Sequence, residues 1–460
     1  MELDVISRRS ALLKRTLINC LFFLFLLSFY GGAYGAAVTN DDCMGCHSEK
    51  GMTKKGPNGK EISLVFETEP FKKSVHGNLQ CVNCHDIKEL PHADTLNTVS
   101  CQSCHKNSYK MNQQSAHRQD KGGKASCKGC HGYHTVEKAK TMTSTVCSDC
   151  HGAAYQDHKS GVHAHRAANG KEVAACADCH GKGHTILKKD NPKSPVHAHA
   201  VAQTCLTCHA NPDIIIKYKI PAKDISTLYA DSIHGKAIQA GHMSASCSNC
   251  HGAHAVKPHT DPASQIYPSN IPATCGKCHS QIEAVFKNSI HGQQLKKKNT
   301  NAPTCSSCHP AHHVQSVKAI PWILETIKEC GSCHVSPLET YRHSYHGKIT
   351  NLGFTRVAKC ADCHGAHEVL PHSDPHSKIS KENIIDTCQQ CHPKANKAFT
   401  EFIVHTNYKS KTDHPLLYYV WRFMTVLLVT VFGFFGIHTL LWLPRSWIER
   451  FKEGRRKEKK

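Results

Sequence analysis

The sequence predicts a mainly α fold with extensive loops and little or no β structure, followed by one apolar helix near the C-terminus. Three observations carry that prediction. The pentapeptide Cys-x-x-Cys-His occurs thirteen times and takes up 26 of the 27 cysteines in 460 residues. Four motif histidines are followed by another histidine 12 residues on, a little over three helical turns or roughly 18 Å. Residues 423–443 form a 21-residue apolar run, about the length that crosses a bilayer as a helix.

In chain order, residues 1–35 read as an export signal. Arg8, Arg9, Lys14 and Arg15 precede the apolar run Leu17–Phe29, and Ala33-Tyr34-Gly35 offers a cleavage site before Ala36. A retained anchor is the competing reading, but the run is short for a span and ends in glycines. Cys20, the one cysteine outside the motifs, lies inside this segment.

The motifs come next. Their members are Cys43, Cys46 and His47; Cys81, Cys84 and His85; Cys101, Cys104 and His105; Cys127, Cys130 and His131; Cys147, Cys150 and His151; Cys176, Cys179 and His180; Cys205, Cys208 and His209; Cys247, Cys250 and His251; Cys275, Cys278 and His279; Cys305, Cys308 and His309; Cys330, Cys333 and His334; Cys360, Cys363 and His364; and Cys388, Cys391 and His392. Two thiols three residues apart can form thioethers to one porphyrin while the next residue ligates its iron, so each pentapeptide reads as a c-type haem attachment site. Zinc ribbons also use Cys-x-x-Cys pairs. They do not require a histidine after every second cysteine, and here all thirteen have one.

Composition agrees with a chain whose interior is cofactor. The apolar fraction of 39% is inflated by cysteine, and the 350 residues from Cys43 to His392 leave about 27 per haem, too few for separate hydrophobic domains. The formal charge of +21 invites a nucleic-acid reading. Thirteen haems would bring it to about +8 when ferric and about −5 when ferrous, once their propionates are counted. The lysines and arginines are therefore read as propionate partners and solvated surface, and no nucleic-acid partner is expected.

After the isolated first site the remaining twelve form six two-motif repeats. The regular ones read Ser232-Ile-His234-Gly, then the motif at Cys247 with His254 after it, then the motif at Cys275; the order recurs around His291 and His346. This order resembles the doubled-CxxCH pattern of multihaem cytochromes c over residues 43–392, which implies stacked haems packed on short helices. An N-terminal haem lobe of seven haems is expected over residues 36–210. Asn211-Pro212 and Pro221 mark a linker over 211–231, and a C-terminal lobe of six haems follows over 232–414.

Beyond the 13 motif histidines, 25 others are present, enough for a second axial histidine at every iron. The candidates upstream of each motif pair are His76, His117, His163, His234, His291 and His346. Those shortly after a motif are His92, His134, His184, His254, His312 and His367. The thirteenth is His405, because Phe399 to His405 echoes Phe71 to His76 and Phe286 to His291; His197 is its rival. Bis-histidine irons lack the methionine that raises potential, so a low-potential chain suited to anaerobic respiration is expected.

The C-terminus reads as a transmembrane helix over 415–444, with Tyr418, Tyr419, Trp421 and Trp442 at the interfaces, and a basic tail over 445–460. Positive flanks stay cytoplasmic, which puts the haem region in the periplasm of an inner (cytoplasmic) membrane protein. His438 inside the helix is a costly residue in lipid. Residues 415–452 resemble the first membrane helix of b-type cytochromes in fused multihaem b/c, quinone-linked complexes of metal-reducing bacteria. The resemblance implies that this chain supplies the c-haems, while a membrane b-type cytochrome subunit links them to the menaquinone pool and periplasmic c-type cytochromes exchange electrons at the other end. It also implies that His438 contributes to a b-haem or quinone site.

No catalytic residue is assigned, and electron transfer is the expected function. The alternatives are a terminal reductase or hydroxylamine oxidoreductase-like enzyme with one open haem site, and a storage or docking cytochrome. The lysine that replaces a motif histidine in multihaem nitrite reductases does not occur here.

Overall fold

The computed structural model describes residues 37–56, 59–94, 96–118, 126–138, 143–165, 173–221 and 224–457. The export signal expected over 1–35 and the end of the basic tail lie outside the described residues. The chain is mainly helical, in short segments joined by irregular loops. Strand is confined, among the described residues, to the antiparallel pair Thr53–Lys55 and Glu61–Ser63, with Thr53 opposite Ser63.

The 12-residue spacings resolve into shorter helices than three full turns. Lys106–Gln113 follows His105, Gly152–Ser160 follows His151, Ser280–Asn288 follows His279 and Val335–His343 follows His334. Each of the last two ends at a serine that starts another helix, Ile290–Lys296 or Tyr345–Asn351. At this corner the serine hydroxyl works in both directions. Ser289 Oγ donates to the Phe286 carbonyl at 2.7 Å and accepts from Gly292 N–H at 3.1 Å; Ser344 does the same with Tyr341 and Gly347, and Ser232 with Tyr229 and Gly235. The glycine of Ser-x-His-Gly is required because a Cβ there would collide with the carbonyl oxygen of Tyr229, Phe286 or Tyr341 in the preceding helix. The histidine between them is thereby fixed at a bend.

The chain divides into two units, Met1–Gly152 with Cys176–Lys188, and Ala153–Ala175 with Lys189–Lys460. The division differs from the linker expected over 211–231. That stretch carries two helices of the second unit, Pro212–Tyr218, capped by the Asn211 side chain, and Ile225–Asp231. Segment 153–175 joins the second unit through the bond from Val162 N–H to the Val256 carbonyl at 2.9 Å, where Gly161 also approaches the backbone of residues 254–256.

Side-chain burial is sparse. Among the described residues the buried apolar set is Cys43, Ala202, Phe286, Ile327, Tyr341 and Ala395, and the most deeply buried side chains are all serines. Serine burial satisfies turns rather than building an apolar interior.

The chain closes with the helix Pro415–Lys457, 43 residues and about 64 Å long, roughly twice the thickness of a bilayer's hydrocarbon core. It is long and apolar enough to cross a membrane. Pro444, where the expected spanning segment ends, lies inside this helix, which continues through the basic segment to Lys457.

Candidate functional site: facing histidines over cysteine turns

Each first motif of a repeat folds as one helical turn, for example Cys127–His131, Cys247–His251 and Cys360–His364. A helical turn puts residues three and four apart on one face, so the two thiols lie together with the histidine beside them. The variable residue before the second cysteine closes the turn. Asn83, Asn249 and Asp362 accept from the N–H of Gln80, Ser246 and Lys359 at 2.8, 2.9 and 2.8 Å, and Ser307 accepts from Thr304 at 3.0 Å. Gly132, Gly181, Gly252 and Gly365, each directly after a motif histidine, take positive φ and turn the chain away.

Second motifs sit at the ends of longer helices such as Val201–His209 and Ile320–Cys333. Three are tied down by a recurrent element that the sequence reading missed. Asn191, Asp261 and Asp374 form Asx turns, their side chains accepting from the N–H two residues on at 2.8–2.9 Å. The threonine directly before the cysteine, Thr204, Thr274 or Thr387, donates at 2.7 Å to a carbonyl just past that turn. The signal was present as Asn/Asp-Pro-x-Ser repeated ahead of Thr-Cys.

Facing histidine pairs join twelve motif histidines to a second histidine. In the first unit the pairs, by ring-centre separation, are His47 and His92 at 6.1 Å, His76 and His105 at 5.9 Å, His85 and His134 at 6.1 Å, His117 and His151 at 6.0 Å, and His131 and His184 at 5.7 Å. In the second unit they are His163 and His209 at 6.2 Å, His234 and His279 at 6.4 Å, His251 and His312 at 5.9 Å, and His291 and His334 at 6.2 Å. His309 and His367 at 6.2 Å, His346 and His392 at 6.1 Å, and His364 and His405 at 6.2 Å complete that set. Two imidazoles bound to opposite sides of one metal, each bond about 2 Å, would hold their ring centres about 6 Å apart.

The pairing follows a rule. The upstream histidine faces the second motif of its own repeat, the histidine after a first motif faces the first motif of the preceding repeat or, for His92, the isolated first site, and His405 faces the first motif of the last repeat. Backbone rungs enforce it, since Val75, Ala116, Ile233 and Ile290, each just before an upstream histidine, donate to Val136, Ile186, Val314 and Val369, each two residues past a downstream one, at 2.7–2.9 Å. Val162, just before His163, makes the same kind of rung to the Val256 carbonyl two residues past His254, and His180 and His254 each make interactions of their own. His197, the rival for the thirteenth position, lies against His199.

The protonation state is set locally. His47 Nδ1 lies 2.9 Å from the Leu64 carbonyl and His92 Nδ1 lies 2.8 Å from that of Ala93; a carbonyl only accepts, so each Nδ1 donates and its ring is held in place. Thr340 Oγ1 donates to backbone carbonyls of its own helix and accepts from His405 Nδ1 at 3.0 Å, to the same effect. Burial, and then the facing ring, push His131, His134, His163, His251, His309 and His364 below the usual histidine range. Imidazoles facing in pairs beside adjacent thiols could hold a metal-centred group. Trp322 stacks on His309 at 5.4 Å and 8°.

No protein-family model matches the chain and no curated protein is significantly similar to it. The fold and the site therefore rest on their own geometry.

Within each unit, motifs that follow one another in sequence also come close. In the first unit Cys43 meets Cys81, His105 approaches His131, Cys130 approaches Cys150, and Ser144 Oγ accepts from Cys176 N–H at 3.2 Å. In the second unit thiol contacts join Cys205 to Cys247, Cys275 to Cys305 and Cys330 to Cys360; Cys250, Cys308 and Cys363 approach Cys275, Cys330 and Cys388.

Proposed function

We propose that this chain is a thirteen-haem c-type cytochrome that carries electrons between a quinone-linked b-type cytochrome in the membrane and periplasmic acceptors in anaerobic respiration. The observation that carries the reading is the facing second histidine, about 6 Å away, at twelve motifs whose cysteines already share one turn with the first histidine. That donor set fits a covalently anchored, bis-histidine haem, which would supply reversible one-electron chemistry at low potential. The cysteines would anchor the group, the motif histidine and its partner would ligate it, and the Nδ1–H bonds to carbonyls and to Thr340 would orient the rings. Side-by-side consecutive motifs support a conduit in which each site exchanges electrons with its neighbours in sequence. A second histidine opposite each of these twelve motifs favours electron transfer over the open-site reductase.

The helix Pro415–Lys457 would anchor the conduit as a single span with its basic end in the cytoplasm, and His438 would serve a partner's b-haem or quinone site. The test is to purify the detergent-solubilised complex and follow haem reduction spectroscopically on adding a menaquinol analogue. Rapid c-haem reduction with a b-type band is expected. Absence of quinol-driven reduction in a preparation that dithionite reduces fully would sink the quinone-linked part of the proposal.

A further inference from the structure

One cluster of titratable side chains outside the facing pairs lies where the histidine array meets the apolar helix. Helix Val335–His343 carries Glu339 and His343. The Tyr408 hydroxyl lies 3.3 Å from His343 Nδ1, and the two rings meet edge-on at 5.2 Å. Glu339 Oε1 stands 4.0 Å from His343 Nε2 and 3.4 Å from Lys409 Nζ. Tyr408 packs on Trp421 at 5.8 Å, and Trp421 on Tyr418 at 6.2 Å, so the cluster continues into the first turns of the apolar helix. It is open to solvent, with the side chains of His343 and Glu339 38% and 61% exposed.

We propose that Glu339, His343 and Tyr408 form a hydroquinone site on this chain itself, the quinol ring lying against the Tyr408 and Trp421 aromatics with its hydroxyls donating to Glu339 and His343. The inference rests on the electron-conduit reading and moves quinol oxidation from the partner to this chain. A membrane hydroquinone is a planar ring on an apolar tail that must shed two protons as it loses two electrons. It therefore needs aromatic surface at a membrane boundary beside two proton acceptors.

The same helix is bound to three facing pairs. It starts directly after His334, precedes His346 by three residues, and fixes His405 through Thr340. In the reaction the two O–H bonds break, one proton passes to the Glu339 carboxylate and one to His343, and both leave to water. The two electrons would pass to the one-electron groups that the neighbouring histidine pairs would hold, and quinone would depart.

The test uses the full-length chain purified alone in detergent, with the quinol analogue heptyl-hydroxyquinoline N-oxide as binding probe and menadiol as reductant. Saturable binding of the probe and partner-independent reduction are expected, with E339Q and H343A each weakening binding at least tenfold and Y408F less. Haem content and full reduction by dithionite establish that the variants are intact. If the intact chain fails to bind the probe, binds it as well in E339Q and H343A, or yields it to anionic phospholipid alone, the site is overturned while the conduit stands. A purified chain without covalent haem would instead overturn the conduit reading.

Discussion

Thr340 illustrates how a single hydroxyl can set the properties of a histidine far away in sequence. With its own proton spent on backbone carbonyls, it is left to accept from His405 Nδ1, 65 residues on. Valine keeps the shape and removes this acceptor, leaving the Pro337 backbone as the remaining partner of His405. A less electron-rich imidazole also raises the potential of the iron it binds. T340V should therefore shift one component of a spectroelectrochemical titration upward by tens of millivolts; a titration superimposable on wild type would refute the assignment. His405 itself was legible, because the Phe-to-His echo is a short-range pattern. Its acceptor was not, since nothing in the sequence marks which of many threonines will stand 3.0 Å from it. His92 stands seven residues after His85, where the other histidines after first motifs follow by three or four, and the structure pairs it with His47.

Among the elements, the serine–glycine corner is the joint on which the upstream histidines are mounted. G292A should destabilise the chain by about 1–3 kcal/mol, because the new methyl meets the Phe286 carbonyl oxygen. G183A, with nothing within 4 Å, serves as the control; equal thermal midpoints for the two would dismiss the steric account. The loop after the motif at Cys360 is held by Glu368, which accepts from His367 N–H at 3.1 Å and pairs with Lys378 at 2.8 Å. The Lys378 bond holds the Glu368 carboxyl down at about 2. A depressed carboxylate stabilises the fold above its unfolded pKa of about 4.5 and loses that contribution as pH falls toward 2. E368Q should be less stable than wild type at pH 7 by at most about 1 kcal/mol, the pair being part-exposed, and equal to it at pH 2 in denaturant titrations. Helices after second motifs were legible from the 12-residue spacing. Their true ends were not, because the corner consumes the last residues. The Asx turns were missed because each is local and carries no hydrophobic period.

For the molecule as a whole, the small buried apolar set means that protein side chains alone do not make the interior. The double variant C305A/C308A removes one anchoring turn in the middle of the second unit. It should lower the covalent haem count by one and slow reduction of the N-terminal haems from the membrane end at least tenfold in stopped-flow mixing. An unchanged rate would mean that electrons do not follow the order of the motifs. The motifs and the facing histidines were legible because each is a short pattern of fixed spacing in the sequence. The division at Gly152 and Lys188 was not, because it depends on where segment 153–175 docks rather than on any proline-rich stretch. The overlapping arrangement of the repeats also bears on how the molecule is made. A first motif waits for a histidine 41 to 61 residues further along, as from His364 to His405 or from His251 to His312. A chain synthesised from its N-terminus therefore always trails one half-closed position behind its growing end. Each repeat is finished only by the arrival of the next, so a chain cut short anywhere in the array would leave its last first motif without a facing histidine.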